Sequence, residues 1–277
     1  MRDSRKPADL ASQHAASEPA HQGPPVGPSA AQVAWALFTV ALLAYALTAK
    51  GFWDLNDAEA YYLVTKSLVE RGRVDVKPEI IPASEALYIT GSDGRLYVHF
   101  GVGQPLFLAP LYFVGKGLAV VGEWVAPRWA SVADYLPRVT MAFGYALAAA
   151  GSVALVYLLL VALGVGARWA VATALLYGFT TYVWPYSKIG FYDIQLTFFH
   201  LLAVLAVVQY RRLRGASWVF LSAWALGWAV AIRATAALSA PFLFLYILWG
   251  ACDRTEGDGP GLSVRISRSL KPALVFL

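Results

Sequence analysis

The chain has 277 residues, of which 58% are hydrophobic and 14% charged, and its mean hydropathy is +0.55. A soluble domain of this length needs more charge to cover its surface, so the composition points into a membrane. The net charge of +5 does not indicate nucleic acid, because the basic residues sit in short clusters between apolar runs, as topology signals do.

Residues 1–30 are rich in Pro, Ala and Ser with scattered charge, and are expected to form a disordered cytoplasmic tail. They are not a cleaved signal peptide, since the apolar run starts near Ala31, far from Arg2, Arg5 and Lys6. Apolar stretches long enough for transmembrane helices fall at about 31–49, 139–163, 169–184, 193–210, 216–233 and 235–250. A further stretch, 103–122, holds Pro105, Pro110, Gly103, Gly115, Gly117 and Lys116, which predicts a broken or re-entrant segment in preference to a span. The predicted fold is an all-α, polytopic bundle of about six or seven transmembrane helices. Its domain is expected over 31–277, with a first outer loop at 50–137 and a cytoplasmic loop and helix start at 251–277. Leu270–Leu277 opens a helix that is not completed, the pattern of an N-terminal fragment.

Orientation follows from the short loops. Arg168, the cluster Arg211, Arg212 and Arg214, and the group Arg254, Arg265, Arg268 and Lys271 fall on one side if the helices from 139 onward alternate. The positive-inside rule makes that side cytoplasmic; with 103–122 not crossing, this puts the N-terminus inside and the loop 50–102 outside a cell membrane, whereas a crossing 103–122 would reverse both. Within that loop, residues 58, 61, 62, 65, 68 and 69 follow helical spacing up to Gly72, and this short helix is expected to lie along the interface with its Tyr face down. Leu87–Ile89 and Leu96–Val98 flank Gly91-Ser92-Asp93-Gly94 as a hairpin.

Asp54, Asp57 and Glu59 gather where the first helix leaves the membrane. A carboxylate there can act as a general base toward an acceptor hydroxyl. Alternatively, Asn56 and Glu59 form a capping box and Asp57 favours the helix dipole. Arg233 lies within an apolar run, where an ionisable residue is costly and often functional; Lys188 and Arg138 read as either phosphate-binding or snorkelling residues. Asp193 either supports Lys188, contributes to the site or starts a helix; His99 either hydrogen-bonds substrate, ligates a metal or is a loop residue; and His200 reads as a helix–helix hydrogen bond. The single cysteine, Cys252, excludes an internal disulfide and a cysteine-built metal cage, and no His/Cys spacing suggests zinc. No phosphate-binding glycine loop occurs either.

The run Asp57-Ala58-Glu59-Ala60-Tyr61-Tyr62 with Ser67–Gly72 resembles the first outer loop of the GT-C glycosyltransferases, in the protein O-mannosyltransferase and lipid A aminoarabinose-transferase branch. Tyr97–Leu106 with Ala109–Tyr112, Pro185–Asp193 and Ala231–Leu238 are similar to later segments of the same family, and the likeness covers about 31–250. The family's adjacent acidic pair is spread here into Asp57-Ala58-Glu59. The resemblance implies inverting transfer of a sugar from a polyprenyl-phosphate donor to a hydroxyl acceptor outside the membrane. Asp57 or Glu59 would be the catalytic base, with Asp54, Tyr61, His99, Lys188, Asp193, Arg233 and Arg138 contacting substrate, and with or without a divalent metal such as Mg or Mn. The alternatives are a transporter or flippase for a lipid or small solute, or a non-catalytic scaffold.

Overall fold

The computed structural model describes residues 28–51, 56–77, 87–125, 133 and 135–252. The tail to residue 27, Asp54, and the basic group and helix start beyond residue 252 lie outside the described residues. Nearly all the rest is helical, as a polytopic bundle requires: with no water in a bilayer core, each backbone group must be bonded within its own segment.

Helix α1, Ala30–Leu47, opens with a capping box in which the Ser29 hydroxyl accepts from the Gln32 amide and the Ser29 amide donates to the Gln32 side chain at 2.8 Å. Helix α2, Asn56–Arg71, ends where Gly72 takes a left-handed φ of +64°, a conformation free of cost for glycine. The hairpin follows as expected, β1 (Tyr88–Thr90) antiparallel to β2 (Leu96–Val98), with Asp93 accepting a 2.9 Å bond from the Tyr97 hydroxyl across its turn.

Helix α3 runs unbroken over Gly103–Val125. This corrects the expectation of a broken segment. Pro105 sits in the first turn, where no backbone donor is needed, so only Pro110 removes an internal bond. By length and composition α3 is one of four helices able to cross a membrane, with α1, α4 (Leu136–Ala162) and α7 (Asp193–Leu213). Its packing is specific about depth. Gln104 donates to the Tyr145 hydroxyl at 2.9 Å and Thr140 donates to the Leu111 carbonyl at 2.8 Å, so α3 lies antiparallel along only the first third of α4.

The expected helix 169–184 is two pieces, α5 (Ala167–Thr180) and α6 (Val183–Ile189), because Thr181 is extended with φ −110° and ψ −173°. Thr181 instead uses its hydroxyl on the Tyr177 carbonyl at 2.6 Å. Helix α8, Ala216–Ile232, returns antiparallel to α7, with Ser222 donating to the Ala203 carbonyl at 2.9 Å. A 3₁₀ turn, Ala234–Ser239, leads to α9, Ala240–Cys252. The reading of His200 holds: it bonds Ser239 at 2.9 Å and joins α7 to that turn.

The core has two parts. One surrounds α4, with Tyr45, Tyr112, Tyr145 and Tyr157 all at most 1% exposed, and the other joins α7, α8 and α9 around Phe199, whose ring meets Phe107, Phe198, Trp224 and Trp228. Helix α2 is not a one-sided interfacial helix. Residues 58 and 60–65 are buried almost all round, and the polar members are satisfied locally, Thr65 on the Tyr61 carbonyl and Ser67 on the carbonyls of Arg73 and Asp75.

The segment after the hairpin is seated on the end of α8. A Cβ on Gly103 would lie 2.6 Å from the Ala231 carbonyl carbon, and one on Gly101 would collide with the Ala231 carbonyl oxygen. Gly103→Val is therefore expected to destabilise the fold by about 1–3 kcal/mol, seen as a lower unfolding temperature in detergent.

Candidate active site

Helix periodicity sorts the acidic cluster. Residues advance about 100° per position, so Asp57 and Glu59 project about 200° apart while Asp57 and Tyr61 share a face. Glu59 is drawn into an ion pair with Arg138 at the start of α4, with Nη2 to Oε1 at 2.5 Å and Nε to Oε2 at 3.4 Å. The same guanidinium lies 4.0 Å over the Tyr62 ring. The carboxylate of Asp57 has no hydrogen-bond or ion-pair partner among the described residues.

On the Asp57 side, Tyr61, His99, Phe100, Tyr192 and Arg233 line a cavity of about 430 Å³. Burial pushes the Tyr61 hydroxyl's pKa up; Tyr145, Asp57 and Asp193 push it further and Arg233 opposes them, so all four lie within electrostatic reach of this phenol. Arg233 caps α8 in an extended conformation, exposed, with its guanidinium 5.0 Å over Tyr192 and no ion-pair partner among the described residues. His99 contacts the Leu87 carbonyl at 3.2 Å through Nδ1 and lies 4.2 Å from the Phe100 ring. Since a carbonyl only accepts, Nδ1 carries a proton, and in the neutral ring Nε2 is then an acceptor.

Of the residues singled out from sequence, Tyr61, His99 and Arg233 therefore share one cavity, with Asp57 and Asp193 beside it. Glu59 and Arg138 are tied to each other on another face of α2. Lys188 is not in the lining: it lies 5.0 Å over Trp184 of its own helix and makes no ion pair with Asp193. Phe100 and Tyr192 were missed as site residues, although each adjoins a quoted motif residue (His99 and Asp193) and aromatic faces suit sugar rings. Among the described residues no three His, Cys, Asp or Glu side chains gather where they could hold a metal ion.

Glu59→Gln is expected to lower stability by about 1–2 kcal/mol, because it leaves the half-buried Arg138 without its counter-charge. The double variant Glu59→Gln/Arg138→Gln should recover part of that loss in a thermal-unfolding cycle.

Residues 100–259, more than half of the chain, match the family model described as dolichyl-phosphate-mannose-protein mannosyltransferase. The chain belongs to this family. As a member of the dolichyl-phosphate-mannose-protein mannosyltransferase family it is a membrane glycosyltransferase of the GT-C class, which sets aside the transporter and scaffold readings. The family match takes in Arg138, Lys188, Asp193 and Arg233 and begins after Asp57 and Glu59, so the roles of those two carboxylates rest on geometry. No curated protein and no solved structure matches the chain.

Proposed function

We propose that this protein transfers a sugar, with inversion, from a polyprenyl-phosphate carrier to a hydroxyl acceptor on the outer side of a cell membrane, and that Asp57 is its base. The family's description supports a dolichyl-phosphate type of donor. What carries the assignment is a carboxylate, Asp57, and a guanidinium, Arg233, each without an ion-pair partner among the described residues and both within electrostatic reach of Tyr61 at the cavity.

The acceptor hydroxyl gives its proton to Asp57 while its oxygen attacks the anomeric carbon. The bond from that carbon to the phosphate oxygen breaks on the opposite face, and polyprenyl phosphate departs with the electron pair. Arg233 meets the charge that grows on the phosphate. Phe100 and Tyr192 supply aromatic faces for the sugar ring, and His99 Nε2 accepts from a sugar hydroxyl.

Support for the sidedness comes from the cations of the short loops between helices. Arg211, Arg212 and Arg214 end α7, about 30 Å along the helix from Asp193, and Arg168 follows the far end of α4. These short-loop cations, at the end opposite the cavity, fit a cytoplasmic end there, an outer site and a cytoplasmic N-terminus. The limited depth of α3 along α4 also fits a non-crossing α3, which keeps the site and α1 in register with this orientation.

The test is transfer from a labelled polyprenyl-phosphate mannose, with the product's anomeric configuration read by NMR. In parallel, Asp57→Cys in a Cys252→Ser background should react with an impermeant thiol reagent from outside intact cells. Retained configuration, or labelling only from the cytosol, overturns the proposal.

A further inference from the structure

Helix α2 has a second lined face. Leu63, Lys66, Ser67, Glu70, Arg71, Val76 and Lys77 surround a cavity of about 390 Å³. Leu63 is two positions past Tyr61, so this cavity opens about 200° around α2 from the candidate active site. Three of its lining residues are cations and one is an anion. That anion, Glu70, is already committed: it accepts from the Tyr112 hydroxyl at 2.6 Å and pairs with Lys116 at 3.3 Å. Arg71 is turned inward on the Asp75 carbonyl and the Ser67 hydroxyl. Lys66 and Lys77 make no ion pair among the described residues, and although Lys66 lies within electrostatic reach of Glu70, three cations against one anion leave the lining net positive.

The second observation is what adjoins the cavity. Lys116, the partner of Glu70, lies on α3 in the same stripe as Phe113, Val120 and Trp124, which are 61%, 65% and 86% exposed. Phosphate-seeking cations thus meet a long apolar strip through a single ion pair.

We propose that this cavity binds the phosphate headgroup of an anionic phospholipid, whose acyl chains lie along the exposed face of α3. Lys66 and Lys77 bind the phosphate as point charges, and Lys116 holds Glu70 away from it. The proposal does not depend on the transferase assignment.

The experiment reconstitutes the full chain into nanodiscs of phosphatidylcholine alone or with phosphatidylglycerol, and reads bound lipid by native mass spectrometry and unfolding temperature. Wild-type protein should retain phosphatidylglycerol and unfold later in its presence. Lys66→Gln/Lys77→Gln should retain roughly 30-fold less, on the scale of one interfacial contact per basic residue, and Lys77→Gln alone roughly fivefold less. Arg212→Gln, at the opposite end of the bundle, should retain it as wild type does. Unfolding of the variants in phosphatidylcholine alone reports that they are folded. Equal retention by wild type and the folded Lys77→Gln and double variants overturns the proposal. So does equal stabilisation of detergent-solubilised protein by inorganic phosphate, which would make the site one for free phosphate.

Discussion

Asp57→Asn is expected to reduce transfer by roughly 10²–10⁴-fold while leaving the protein folded and inserted. Asparagine keeps the size of the side chain but cannot take the proton that the attacking hydroxyl must lose. The loss should appear in kcat with little change in KM for the donor, because the base acts on the acceptor in the transition state. Folding should be spared, since Asp57 forms no ion pair or hydrogen bond among the described residues that the change would break. Glu59→Gln supplies the contrast: it should lower stability and leave the chemical step within an order of magnitude of wild type. If the two variants behave the other way round, the base is Glu59 and the reading of the α2 faces is wrong.

Arg233→Ala is expected to cost roughly 10²–10³-fold in kcat, the loss seen when one preorganised donor to a developing oxyanion is removed. The guanidinium is exposed to the cavity and rests on Tyr192, so it is held in place before substrate arrives. Arg233→Lys should restore only part of the rate, because a single ammonium cannot offer the planar fork that fits phosphate. Lys188→Ala, whose side chain lies on Trp184 away from the lining, should remain within a few-fold of wild type in the same assay.

Much of the fold can be read in the chain because the bilayer simplifies the problem: length and apolarity alone mark α1, α4 and α7. The stop of α2 at Gly72 and the Gly91–Gly94 turn were legible for the local reason that glycine signals them. What could not be read depends on distant partners. Arg138 finds Glu59 across 79 positions, and no local pattern separates that pairing from snorkelling. Spreading the acidic pair by one residue was visible, yet its effect, turning Glu59 to the opposite face of a buried helix, needed the helix to be placed. Proline and glycine content misled for α3 because Gly103 and Pro105 fall in its first turn and Gly115 serves close packing against Pro137 and Thr140 of α4. At Thr181, conversely, the break in the 169–184 helix left no comparable mark in the apolar pattern.

The seating of Gly101 and Gly103 against the end of α8 has a mechanical consequence. It rivets the polypeptide that brings His99 and Phe100 to the helix that delivers Arg233, so two separately encoded halves of the pocket behave as one solid piece. On the proposed mechanism, a gating motion that admits the donor would have to happen elsewhere along the rim, and a change that pries this joint apart would uncouple grip on the sugar from grip on its phosphate.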